Sequence, residues 1–249
     1  MFALPLLTTS CEDILGHWEK PVVPEEAPTI PTASISFAAA ELTRGSADPA
    51  FTLTLENTGD GSVVFESSNG DVATVDAATG KVTLKGAGHT GTTTITATVA
   101  NTDNYNYPTN TATCALTVED GYSYLEWDGT KMATKIVADD DANRVLVTNT
   151  TTTLDQNSKV YVVNGDVDIS ANVSYTGSEA NNAKVVLCDG AKLKINGGLY
   201  GSSASNYISI YGQSEGEDMG ELSIEDNSNS SAVSGTDIKI YGGKISVTS

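Results

Sequence analysis

Thirty-two carboxylates, set against 13 Lys and Arg and two histidines, define the chemistry open to this 249-residue chain. Hydrolysis of a glycosidic bond needs two carboxyl groups held about 5–10 Å apart on one firm face. In the C-terminal third the candidates are Asp166, Asp168, Asp189, Glu221, Glu225 and Asp226, mostly at glycine-containing turns. Acids this numerous fall near one another by chance, so proximity in sequence carries little weight. A lyase needs in addition a Lys or Arg base beside Ca²⁺ or an arginine clamp, and Arg144 is the sole arginine past residue 120. The run Asp139–Asp141 lacks the Asp-x-Asp-x-Asp-Gly order of a calcium loop and reads as a solvated turn. His17 and His89 have no histidine neighbour at zinc-ligand spacing. No catalytic residue, metal or other cofactor is therefore expected. Cys114 lies on the inward face of an alternating strand and Cys188 beside a distant turn. A disulfide requires Cα atoms within about 7 Å, so two packed, reduced thiols are expected. What remains is recognition. Tyr200, Tyr207, Tyr211 and Tyr241, with Asn206 and Gln213 among them, pair flat rings with amides, which suits stacking on sugar rings and bonding their hydroxyls. The competing expectation for each tyrosine is a plug at a corner of the fold.

The elements that position these residues are strands. Aromatics are only 6%, and there are 23 glycines with abundant Thr, Ser and Asn, a composition of short strands and turns. A net charge of −19 lacks the clustered Lys and Arg that phosphate backbones demand, which excludes nucleic acid as a partner. It equally excludes electrostatic docking on anionic lipid. No apolar run reaches the 18 residues of a membrane-spanning helix. From 34 to 120 strand signals fall at Ser34–Phe37, Phe51–Leu55, Ser62–Glu66, Val72–Val75, Lys81–Leu84, Thr92–Val99 and Ala112–Val118, separated mostly by Gly, Asn and Asp clusters. Ile95, Ala97 and Val99 share one face while Thr94, Thr96 and Thr98 take the other, as a half-buried strand requires. Seven such strands predict a two-sheet antiparallel sandwich. Residues 121–159 form a connector or cap, in which Tyr122, Tyr124, Leu125 and Trp127 could pack at the start of the second domain.

From 160 to 249 three units repeat, opening at Leu187, Ile210 and Ile240, each a short strand, a glycine corner and a second alternating strand. Repeats of this size predict a right-handed parallel β-helix. Leu193, Ile195, Leu222, Ile224, Ile245 and Val247 should stack into ladders, with Lys192, Lys194 and Lys244 pointing outward and Ser214–Met219 leaving the coil as a loop. Strand character runs to the last residues, so the last rung is expected to continue beyond Ser249 or to be capped by a partner. The chain should be monomeric unless that rung pairs.

Several segments resemble known families. Phe65–Asp76, Thr79–Leu84 and Thr94–Thr98 resemble the bacterial Ig-like domain of group 2, which implies a spacer or adhesin stalk module and no chemistry. Trp127–Lys131, Tyr161–Ser170, Val185–Leu193 and Ile210–Ser214 resemble, in order and spacing, a repeat region of surface proteins from gut anaerobes. The short apolar segment 1–11, ending at Cys11, resembles the end of a bacterial lipoprotein signal, although Thr8 stands where the pattern has Leu and no basic residue precedes Lys20. That resemblance implies lipidation of Cys11 and a start upstream of Met1. Glu12 and Asp13 resemble an export signal to the outer face. The prolines of 12–33 remove backbone donors and predict an extended tether.

Together these readings predict an all-β protein, an Ig-like antiparallel sandwich followed by a right-handed parallel β-helix. They point to a non-catalytic lipoprotein of the outer membrane and cell surface, serving adhesion or surface structure through a host surface or glycan. Alternatives are a carbohydrate-binding protein of a polysaccharide-uptake system and a β-helical polysaccharide lyase or hydrolase.

Overall fold

A computed structural model describes residues 29–155, 159–201, 203, 206–226, 231–235 and 237–248. Cys11, His17 and the tether up to residue 28 lie outside the described residues. All regular structure among them is β. The first domain contains β1 (Ile35–Phe37), β2 (Glu41–Gly45), β3 (Phe51–Thr52), β4 (Leu55–Asn57) and β5 (Val63–Ser67). It continues with β6 (Ala73–Val75), β7 (Lys81–Leu84), β8 (Gly91–Val99) and β9 (Thr111–Glu119). One sheet runs β2-β9-β8-β5 and another β3-β7-β6, while β1 pairs with β4. The alternation read in β8 is realised: Ile95 and Ala97 are fully buried and Val99 nearly so, with Thr94, Thr96 and Thr98 on the other face and Thr93 buried on the inner one.

Three features depart from the sequence expectation. Strand β2 carries a single aliphatic side chain, Leu42, and gives almost no periodic signal. It pairs with β9 in parallel, so this Ig-like sandwich is mixed rather than wholly antiparallel. The expected strand Phe51–Leu55 divides into β3 and β4, which belong to different sheets. The tether expected to run through residue 33 stops short of it. Asn106 N donates to the Pro31 carbonyl and Ala33 N to the Asn106 carbonyl, both at 2.9 Å, and Ala33 is buried. Proline lacks a donor but keeps its acceptor, and that acceptor is what the sandwich uses.

The segment expected as a connector holds a hairpin and the first strands of the solenoid. Strands β10 (Tyr122–Trp127) and β11 (Met132–Val137) pair antiparallel. Their turn is closed by Asp128, whose carboxylate accepts from the backbone of Lys131 and from the hydroxyl and backbone of Thr130, holding its pKa down to about 2. Strands β12 (Arg144–Leu146) and β13 (Thr153–Leu154) already belong to the coil. Its turns continue through β14 (Val160–Val163), β15 (Asp166–Ile169) and β16 (Val173–Tyr175). Next come β17 (Gly177–Ser178), β18 (Asn181–Leu187), β19 (Lys192–Ile195) and β20 (Leu199–Gly201). The final windings hold β21 (Tyr207–Gly212), β22 (Glu221–Glu225), β23 (Val233–Ser234), β24 (Asp237–Ile240) and β25 (Lys244–Thr248).

Three parallel sheets result, β12-β14-β18-β21-β24, β13-β16-β20-β23 and β15-β19-β22-β25, making a solenoid of about 3 turns. The predicted ladders are present: Leu193 lies opposite Leu222 and Leu222 opposite Ile245, while Ile195, Ile224 and Val247 form the next column. Lys192 and Lys244 are exposed. Lys194 reaches Glu225 at 2.9 Å. Tyr175 is fully buried and plugs one corner. Gly235, at φ +144°, makes room for it, since a Cβ there would lie 1.9 Å from the Tyr175 hydroxyl.

A buried polar joint ties the Ig-like domain to the coil. Asp48 accepts from Gly45 N and Ser123 N at 2.9 Å each, from the Ser123 hydroxyl and from Gln213 Nε2 at 2.6 Å. Gln213 Oε1 in turn accepts from Asp189 N at 2.9 Å. Arg44 stacks on Phe51, donates to the Gln213 carbonyl and pairs with Asp189 at 3.6 Å. Ser214, at the root of the predicted loop, donates to Asp189 at 2.8 Å. Burial raises the Asp48 carboxyl above its ordinary range against the pull of these donors. The backbones meet closely at glycines, as a Cβ on Gly45 would stand 2.2 Å from the Gly121 carbonyl oxygen.

Both predicted thiols are fully buried, Cys114 in the sandwich and Cys188 beside the joint. Desolvation raises both thiol pKa values, and the Asp48 and Asp189 charges add to the effect at Cys188. A buried thiol with a raised pKa is a poor nucleophile. Native protein at pH 8 should therefore leave Cys114 and Cys188 unreacted with an aromatic disulfide reagent until denaturant is added. Rapid labelling of either in native protein would contradict this packing.

Candidate functional site

The outer face of the sheet β14-β18-β21-β24 divides into a covered part and an open part. In strand β14 all four residues are buried, because the inward side faces the coil and the outward side is covered. The covering element is the β10 hairpin strand, whose Tyr122 and Tyr124 are 6% and 7% exposed. Tyr122 accepts from Asn164 Nδ2 at 3.2 Å and lies beneath the Arg144 guanidinium. Tyr124 meets Tyr211 edge-on, with centroids 5.2 Å apart at 67°. Tyr211 stacks on Tyr241, 5.0 Å apart at 9°. A column of three rings thus runs from the covered face to the last winding.

The open part is a groove of about 190 Å³ lined by Glu126, Glu179, Ala180, Asn182, Lys184, Ser209, Tyr211, Lys239 and Tyr241. Its pattern comes from register. Lys184 of β18, Ser209 of β21 and Lys239 of β24 occupy one position in successive rungs. Lys184 donates to Glu126 at 2.6 Å and sits 5.5 Å above Tyr211 and 5.7 Å above Tyr124. Lys239 donates to Glu179 at 2.6 Å and lies 5.8 Å above Tyr207. Burial works against the Lys184 charge, but Glu126 and Tyr124 outweigh it and hold the ammonium above its usual pKa. The bond to Glu179 raises Lys239, and the same bond lowers Glu179. Desolvation, reinforced by Glu126, keeps the Tyr211 phenol protonated well beyond its ordinary range.

Of the six residues marked in the sequence, Tyr211 and Tyr241 line this groove, and Tyr207 lies beneath its Lys239. The other three have positioning roles elsewhere. Tyr200 donates to Asp226 at 2.8 Å, Asn206 is buried and donates to the Tyr175 carbonyl, and Gln213 is 3% exposed inside the joint. Glu126, Glu179, Lys184 and Lys239 escaped the sequence reading, which followed aromatics and amides. The Lys-Ser-Lys column across rungs was the available signal, and Glu126 gave none because its partner lies in another element.

Four of the six rung carboxylates weighed for hydrolysis are held by structural partners, while Asp166 and Glu221 flank Lys192 in register across β15-β19-β22. Asp168 accepts from Asn196, Glu225 pairs with Lys194, Asp226 binds Tyr200 and Asp189 serves the joint. The turn at Asp139–Asp141 is held by Arg144, which bonds both the carboxylate and the carbonyl of Asp139. Among the described residues no group of three or more His, Cys, Asp or Glu is arranged to hold a metal ion. A larger cleft of about 280 Å³ lies at the joint between Phe37, Leu42, Phe51 and the Ser214–Asp218 loop. In its polar base Asp189 pairs with Arg44 and accepts from Ser214, while the buried Arg44 Nε has no hydrogen-bond partner among the described residues.

No curated protein matches the chain. Residues 54–101 match the family model described as intimin, immunoglobulin-like domain, a region that contains the Phe65–Thr98 motifs. Such domains are typical of bacterial surface proteins. The Ig-like sandwich is thus similar, over residues 54–101, to an intimin Ig-like domain, and a buried polar network joins it to a parallel β-solenoid of about 3 turns.

Proposed function

We propose that the protein is a non-catalytic cell-surface module of the adhesion type, anchored in the outer membrane by lipid on Cys11, with the Ig-like domain holding the solenoid outward toward a host surface or glycan. The observation that carries this reading is the match of residues 54–101 to an intimin Ig-like domain placed directly before a solenoid. The structural bonds of Asp168, Asp189, Glu225 and Asp226 and the net charge of −19 agree with a display role rather than with hydrolysis or nucleic-acid binding. In bacteria expressing the chain, protease added to intact cells should remove it, and Cys11→Ser should release it from the membrane fraction. A chain that resists external protease, or stays in the membrane fraction as Cys11→Ser, would overturn the anchored-surface reading.

A second reading, carbohydrate capture for a polysaccharide-uptake system, is favoured by the groove. A stacked tyrosine wall beside hydroxyl, amide and charged hydrogen-bonding groups is the lining that sugar rings require.

A further inference from the structure

We infer that the groove bounded by Glu126, Lys184, Lys239, Glu179 and Tyr241 selects neutral glycan chains over acidic ones, an inference that rests on the carbohydrate-capture reading. The groove is charge-balanced. Its two ammonium groups, Lys184 and Lys239, are each neutralised at 2.6 Å by a carboxylate of the same groove, Glu126 and Glu179. A uronic acid or sulfate ester arriving there finds no unpaired cation, must compete with a bound carboxylate, and approaches a chain of net charge −19. A neutral sugar meets no such barrier. Each ammonium has three donors and each carboxylate about four acceptor positions, so both pairs can bond hydroxyl groups without breaking. Asn182 and Ser209 add further donors and acceptors between them.

The aromatic wall is prepared in advance. Tyr241 rests on Tyr211, which rests edge-on against Tyr124 beneath the hairpin. A ring fixed by such a column loses little freedom when a sugar stacks on it. At about 190 Å³ the groove is smaller than the sites that enclose drug-sized ligands, so it grips a short stretch of a chain that runs on past it. The titration directions keep the lining constant, since Lys184 and Lys239 stay charged above the ordinary lysine range and Glu179 stays ionised below the ordinary carboxylate range.

Affinity electrophoresis of the full chain tests this, with gels carrying neutral polymers (mannan, xylan, β-glucan, galactan) or acidic ones (polygalacturonate, alginate, chondroitin sulfate). Retardation is expected in at least one neutral gel and in no acidic gel. Tyr241→Ala should weaken it about tenfold or more, whereas Tyr200→Phe, outside the groove, should leave it intact. Glu179 is 66% exposed in its side chain, so Glu179→Gln should fold normally. It frees Lys239 and should bring measurable retardation by an acidic polymer. Retardation by acidic polymers alone in the native chain would overturn the selectivity while leaving carbohydrate capture standing. Neutral binding undiminished in Tyr241→Ala would overturn the groove as its location. No retardation in any gel would overturn the carbohydrate reading itself.

Discussion

Asp48→Ala should cost about 3–5 kcal/mol of stability, because it removes the single acceptor on which four donors from three parts of the chain converge. Ser123, Gly45 and Gln213 would be left buried with donors unmatched, and an unmade buried hydrogen bond costs more than a made one contributes. For a chain of this size the loss corresponds to roughly 6–20 °C in Tm. Asp48 belongs to the Ig-like domain, yet Gln213 belongs to the solenoid, so both should lose stability together in a denaturant titration followed by separate probes. An unchanged midpoint, or loss confined to one domain, would refute the joint as a structural unit. The carboxyl also has a pH signature. Its native pKa is raised by burial, so the folded state binds the proton more tightly than the unfolded chain. As pH falls through the native pKa toward 3.8, wild type should gain stability relative to Asp48→Asn, and it should lose that gain as pH rises again.

Ile195→Ala should cost about 2–5 kcal/mol, while Val247→Ala in the same column should cost less than about 1 kcal/mol. Ile195 is 1% exposed and lies in register between Ile169 and Ile224. Val247 is 52% exposed at the end of the column. In a solenoid each rung gains most of its stability from its two neighbours, so removing the same kind of side chain is felt most in the middle of a stack. Urea unfolding of the two variants checks this. Equal losses at both positions would mean that the columns do not act as nearest-neighbour ladders.

How much was legible in the sequence depends on how local each signal is. Alternation along Thr92–Val99 and Ala112–Val118 exposed the sandwich, since period-two burial is written into adjacent residues. The repeated strand and glycine corner at Leu187, Ile210 and Ile240 exposed the coil, and the ladders of Leu193, Ile195, Leu222 and Ile224 came from the need to bury each rung against the next. Strand β2 was invisible because a five-residue edge strand with one aliphatic side chain has no period to read. Strands β12 and β13, three and two residues long, were hidden in the connector for the same reason.

Residue order was enough to specify an all-β chain, an Ig-like domain before a repeating coil and a net acidic charge, because composition and periodicity are properties of neighbouring residues. Which polar residues meet was settled only in three dimensions. Arg44 and Asp48 reach Gln213 and Asp189, and Glu126 reaches Lys184, only after the hairpin folds back over the coil. The same folding divided the tyrosines, sending Tyr200 to a structural bond and Tyr241 to the groove wall. Pairing across such separations depends on where chain reversals place distant segments, and no local pattern of residue types records that.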